Sequence, residues 1–179
     1  MMQRDGDRFL IVGISGSGKT QLALRLAKKL HRSRRVIVFD PYLHNKNPPW
    51  DADLVTDSVE MIYRIATAKE NRYRNFVFFV DEAGEFLERC REYDKLATQT
   101  RQFGHDIYFI AQRVTMLTPN IRNNCAKVYL FRQCESDCKI IAQEKAAPGL
   151  MAAATLPALS YLYLKDFDTI TTHKITFEK

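Results

Sequence analysis

A chain of 179 residues that is 46% hydrophobic and 27% charged is long enough to bury one core and has no signature of disorder, repeats or low complexity. The formal charge of +6 permits a polyanionic partner without requiring one. No apolar run approaches the ~20 residues that a membrane-crossing helix needs, so any membrane association is expected to go through a partner.

The first predicted strand is Phe9-Leu10-Ile11-Val12, and Gly13-Ile14-Ser15-Gly16-Ser17-Gly18-Lys19-Thr20 follows it directly. That order of residue types is a phosphate-binding P-loop. Glycines let successive N–H groups turn inward, Lys19 supplies a charge for the β- and γ-phosphates, and Thr20 supplies a hydroxyl for Mg²⁺. A helix is predicted over Gln21 to Leu30, so its positive end also faces the phosphates, with Gln21 beside them. The expected nucleotide contacts are therefore Gly13, Ser15, Gly16, Ser17, Gly18, Lys19, Thr20 and Gln21, with ATP and Mg²⁺ as cofactors. From Arg25 to Arg35 the segment carries Arg25, Lys28, Lys29, Arg32, Arg34 and Arg35 and no acid. We read it as a solvated helix end whose cations complement the dipole, with an acidic or nucleic-acid partner as the alternative.

Val36 to Phe39 is a second buried strand ending in Asp40, Pro41 stops it, and the loop from Tyr42 is expected to be anchored by Trp50. Asp57 and Glu60 read as a capping box for a helix carrying Val59, Ile62, Tyr63 and Ala66 on one face. Phe76 to Val80 is a fully apolar strand that ends in Asp81-Glu82. In a parallel sheet that end faces the ligand, so Asp81 is placed to hold Mg²⁺ with Thr20, and Glu82 to polarise an attacking water. A polar helix is predicted from Asp94 to Phe103, capped by Gly104. The strand from Asp106 to Ala111 then delivers Gln112, an uncharged donor for the γ-phosphate or the water, and Arg113.

Thr118-Pro119 opens a short helix to about Asn124, Cys125 to Phe131 reads as a strand and Ser136 to Glu144 as a helix. Leu150 to Leu156 reads as a short helix, and Tyr161 to Asp166 with Thr172 to Phe177 as an edge hairpin. Four cysteines, Cys90, Cys125, Cys134 and Cys138, and a polar amino terminus fit reduced thiols in a cytosolic setting. Cys134 and Cys138 stand at helical spacing, but without a second pair of ligands they are expected to be buried or idle thiols. The expected fold is a single α/β domain over residues 1–179, with a core of about 8–145 and an extension of about 146–179. Its sheet would be central and mostly parallel with flanking helices.

The order of these features is that of the additional-strand, RecA-like class of P-loop NTPases. More narrowly, Asp81-Glu82-Ala83, Arg101-Gln102-Phe103-Gly104, Ile110-Ala111-Gln112-Arg113, Ile121 and Asn123-Asn124 resemble the FtsK/HerA superfamily of DNA translocases. Ala111 and Val114 stand where the family pattern has threonine and proline. In that class the Gln112 strand lies between the P-loop strand and the acidic strand, so Lys19, Asp81, Glu82 and Gln112 would converge on one γ-phosphate. A motor reduced to its core is similar to the genome-packaging ATPases of viruses with an internal membrane and double-jelly-roll capsids. The resemblance implies ATP-driven translocation of double-stranded DNA into a preformed capsid by a homohexamer docked on capsid or portal-vertex proteins. Its setting would be the virion and the host cytoplasm. An arginine finger supplied in trans is also implied, Arg101 first, with Arg122 and Arg113 as further candidates. The segment Glu85 to Lys95, with Arg89, Arg91 and Tyr93, is a candidate DNA-contacting loop. Two other readings stay open: a small-molecule or nucleotide kinase, and an ATP-gated assembly protein such as a filamentous-phage extrusion ATPase.

Overall fold

The computed structural model describes residues 5–43, 49–70, 72–87, 94–166 and 169–177. One sheet of eight strands organises them, in the order β3-β2-β4-β5-β1-β6-β7-β8. These are β1 (Arg8–Val12), β2 (Val36–Phe39), β3 (Leu54–Thr56), β4 (Val77–Val80), β5 (Asp106–Ala111), β6 (Lys127–Phe131), β7 (Ser160–Leu164) and β8 (Ile170–Lys174). The first six pair in parallel, and β7 and β8 close the edge as an antiparallel hairpin. The fold is the expected one, and β5 lies between β1 and β4 as the class requires.

Continuous apolar sequence explains the middle of the sheet. Every residue of β1, β2, β4 and β5 is buried, because helices cover both faces. Helix α1 (Lys19–His31) covers one face, pressing Leu22, Ala23 and Ala27 against Phe9, Ile11, Val36 and Val38. On the other face lie α2 (Val59–Thr67), α3 (Ala83–Phe86), α4 (Lys95–Thr98), α5 (Pro119–Asn124) and α6 (Glu135–Glu144), around Leu10, Val12, Phe39, Phe78 and Phe109. On the α1 side a row of aromatic rings crosses the sheet. Trp50 meets Phe79 at 5.7 Å, Phe79 stacks on Tyr108 at 4.6 Å and Tyr108 on Phe9 at 4.1 Å. The row continues through Tyr129 to Tyr163, which stack at 4.5 Å. Trp50 anchors its loop as expected, donating from Nε1 to Asp40 Oδ2 at 3.0 Å; residues 44–48 of that loop lie outside the described residues.

Two local expectations need correction, and one strand, β3, went unpredicted. Strand β3 has only three residues, partly exposed and paired on one side only, too little apolar sequence to register as a period. The cap of α2 is Ser58, whose Oγ accepts from the Met61 amide at 3.1 Å; Asp57 lies one residue too early. The helix expected from Asp94 to Phe103 is α4 followed by a 3₁₀ turn over Arg101–Phe103. The buried Thr100 hydroxyl back-bonds to the Leu96 carbonyl at 2.7 Å and the Gly6 amide takes the Arg101 carbonyl at 3.1 Å, so the chain tightens there. Gly104 caps the turn in the left-handed region, as expected.

The basic end of α1 resolves into separate partners. Arg34 is buried against Asp106 and donates to the carbonyls of Asn75, Phe76 and Gly104. His31 pairs with Asp51 and Asp53, which raises its pKa, and Arg25 reaches the Thr176 carbonyl and the Phe177 ring. Among the described residues no helix is long and apolar enough to cross a membrane, and no metal-ligand cluster of His, Cys, Asp and Glu is present.

Candidate functional site

The carboxyl ends of β1, β4, β5 and β6 meet at one edge of the sheet, and the P-loop is fastened there by its own backbone. The Gly13 amide donates to Ala111 at 3.3 Å, the Ile14 amide to Arg132 at 3.0 Å and the Ser17 amide to Ile14 at 3.2 Å. A Cβ at residue 13 would meet Phe131 and, at 2.6 Å, the Ser17 hydroxyl, so the close turn requires glycine. Gly18 has φ of 109°, a conformation that would strain any other residue at the mouth of α1. The Lys19 ammonium is buried and donates to the Ile14 carbonyl at 3.1 Å, inside the curl of the loop. Burial lowers its pKa, while Glu82 and Asp81 pull it back up.

Whether a phosphate group fits can be judged from what the loop leaves unsatisfied. The Ser17 hydroxyl is buried without a hydrogen-bond partner among the described residues, and the first turn of α1 holds no acid to offset its dipole. Both are what an anion would complete. Ser15, Gly16, Thr20 and Gln21 stand exposed around this mouth.

Asp81 and Glu82 leave β4 at the same edge. The Asp81 amide is held by the Phe39 carbonyl at 3.0 Å, and Glu82 adopts φ of 46°, a left-handed conformation rare for a non-glycine residue. Burial pushes the Asp81 carboxyl from 3.8 up to about 6, reinforced by Glu82 and Asp40. From β5, Gln112 reaches across and its Nε2 donates to Glu82 Oε1 at 3.4 Å. The four predicted chemical groups, Lys19, Asp81, Glu82 and Gln112, thus share one edge.

Several supports were not visible in the sequence. The Gln133 side chain donates from Nε2 to the Gln112 carbonyl at 2.9 Å, and Arg113 forks onto Asp137 at 3.0 and 3.2 Å, so Gln112 is gripped on both sides. The C-terminal hairpin also touches the P-loop: the Leu159 amide donates to the Ser17 carbonyl at 3.2 Å, and Leu159 and Ile175 press on Gly18. Nothing local marks these residues, since each acts through a contact distant in sequence.

The arginine candidates separate. Arg122 is buried and bidentate with Glu144 (2.8 and 2.6 Å), and Arg113 is held by Asp137. Arg101 is exposed and, among the described residues, has no ion-pair partner. It precedes the amino end of β5, roughly 17 Å of strand from the P-loop edge, so the structure does not bring it to the site of its own chain. Of the candidate DNA-contacting loop, residues 88–93 lie outside the described residues; Glu85 sits in α3 and Lys95 opens α4.

A sequence model of the family described as zonular occludens toxin (Zot) matches residues 8–136, from β1 to the start of α6. The chain belongs to the Zot family. No curated protein sequence matches it. Among solved structures, the genome packaging NTPase B204 of Sulfolobus turreted icosahedral virus 2, in complex with AMPPCP, superposes with a TM-score of 0.75 at 20% identity, covering 99% of this chain and 100% of that one. The N-terminal domain of zonular occludens toxin from Neisseria meningitidis gives 0.61 at 16%, covering 98% and 96%. The pCW3 conjugation coupling protein TcpA with ATPγS gives 0.68 at 17%, covering 95% of this chain and 60% of that one. The fold of this Zot-family chain is therefore that of P-loop NTPases, and it resembles the viral packaging ATPases as the sequence motifs implied.

Proposed function

We propose that this chain is an ATPase whose hydrolysis drives double-stranded DNA, as the packaging motor of a virus that fills a preformed capsid. The observation that carries the reading is the Glu82–Gln112 pair at 3.4 Å beside the P-loop lysine: a carboxylate and an amide converge where an attacking water would stand. A mere nucleotide binder needs neither. Thr20 and Asp81 would hold Mg²⁺, which when bound offsets charge on the β- and γ-phosphates. Glu82 accepts the proton of the water, Gln112 orients it without repelling ATP, and Lys19 with the loop amides holds the phosphates.

The motor reading further has the chain acting as a homohexamer on a capsid or portal vertex, in host cytoplasm and virion. Arg101 of one subunit then serves the neighbour's site, because the exposed guanidinium is too far from its own. Expected results are that E82Q keeps ATP affinity and loses hydrolysis by at least about 10²-fold. In the wild type, duplex DNA stimulates phosphate release and binding weakens steeply with salt. A phosphorylated acceptor in place of free phosphate would make the protein a kinase and end this reading. The Zot family match supports a second reading, an ATP-driven assembly or extrusion ATPase; phosphate release unaffected by duplex DNA would favour it.

A further inference from the structure

Arg8 opens the strand that leads into the P-loop, yet its side chain serves a different segment. It is 3% exposed. Its Nε donates to the Ala97 carbonyl at 3.2 Å, one terminal nitrogen donates to the carbonyls of His105 at 2.7 Å and Asp7 at 2.9 Å, and the other donates to the Thr100 hydroxyl. Two residues earlier the Gly6 amide donates to the Arg101 carbonyl at 3.1 Å, and a Cβ on Gly6 would collide with the backbone of His105. Residues 6–8 therefore clasp the turn that carries Arg101, from Ala97 on one side to His105 on the other.

Stability alone is a poor reason for such a residue. Burying a guanidinium carries a desolvation penalty, visible in the lowering of the Arg8 pKa to about 10, and an apolar side chain of similar volume commonly packs as well or better. What the planar fork adds is geometry: its donors read the backbone path of residues 97–105. At the other end of the same strand, five residues away, Gly13 begins the phosphate loop.

We propose that Arg8 is a positioning residue that fixes Arg101 for the neighbouring subunit and ties it, through β1, to the P-loop of its own chain. The inference rests on the reading of Arg101 as a finger acting in trans. It places the consequence of an Arg8 substitution in the adjacent subunit's site, which a purely structural role would not do.

Subunit mixing tests it, with full-length R8K, R8M, R101A and K19A and a linear duplex DNA present. R8K and R8M should fold, bind a fluorescent ATP analogue as the wild type does, and lose ATPase activity by about tenfold or more, as for a misplaced finger. Two substitutions guard against one that fails to fold. K19A is inactive but carries an intact clasp. Mixed one to one with R8K it should restore activity to about a quarter of wild type, the share of interfaces pairing an intact site with a clasped finger under random assembly. Wild-type turnover in R8K and R8M overturns the proposal, as does a loss that K19A fails to rescue while it rescues R101A; the finger reading then survives. If R101A hydrolyses at the wild-type rate, or K19A does not rescue it, the finger reading falls and the Arg8 proposal with it.

Discussion

Asp81 follows β4, and burial raises its pKa from 3.8 to about 6, with the charges of Glu82 and Asp40 adding to the rise. A carboxyl that binds its proton more tightly folded than unfolded stabilises the protonated form, so between about pH 4 and pH 6 folding stability declines as pH rises. The substitution D81N should therefore raise the melting temperature by about 2–6 °C at pH 7 without divalent metal, by calorimetry, while abolishing Mg²⁺-dependent hydrolysis. Mg²⁺ affinity of the wild type should weaken as pH drops through 6, where the metal-free Asp81 gains its proton, as read by titration of Mg²⁺ at several pH values. Gln112 gives a second expectation. Removing its brace with D137N should lower kcat by about tenfold and leave nucleotide affinity in place, in steady-state kinetics beside analogue titration. The residues of the P-loop and the Asp81-Glu82 pair were legible because their chemistry is written in consecutive positions. Gln133, Asp137 and Arg8 were not, because each works through a residue more than twenty positions away.

Elements read from apolar runs came out well where burial is continuous. β1, β2, β4 and β5 were plain in sequence because both faces are covered, and β7 because its residues alternate; β8 is exposed along most of its length and lies at Ile170–Lys174, two residues before the expected start at Thr172. The misread elements are short ones ruled by single side chains: the Ser58 cap, the three residues of β3 and the break after α4 at Thr100. Charge was harder to read than apolar period. Six cations at the end of α1 look equivalent in the sequence, but Arg34 is an internal tie between α1, β4 and β5, whereas Arg32 lies on the surface. Replacing Arg34 by Met leaves Asp106 without this partner and should cost about 3–5 kcal/mol in denaturant titration, while Arg32→Ala should stay within about 0.5 kcal/mol. Equal small effects at both positions would contradict the buried tie.

For the whole molecule, the sheet joins the C-terminal hairpin to the phosphate loop, although the family match ends at residue 136. Leu159 and Ile175 close over Gly18, so deleting residues 157–177 should abolish nucleotide binding, as measured with a fluorescent analogue; retained affinity would show that the loop stands alone. The aromatic row that crosses the sheet has an optical consequence. Trp50 is the one tryptophan of the chain, and it stands at the end of that row, its indole N–H bound to Asp40, the neighbour of Asp81. Tyr108 of β5, Tyr129 of β6 and Tyr163 of β7 should pass excitation energy to this single emitter, and its colour and yield should change when nucleotide or Mg²⁺ binds beside Asp81. The protein thus carries its own fluorescent gauge of the site, readable without a label.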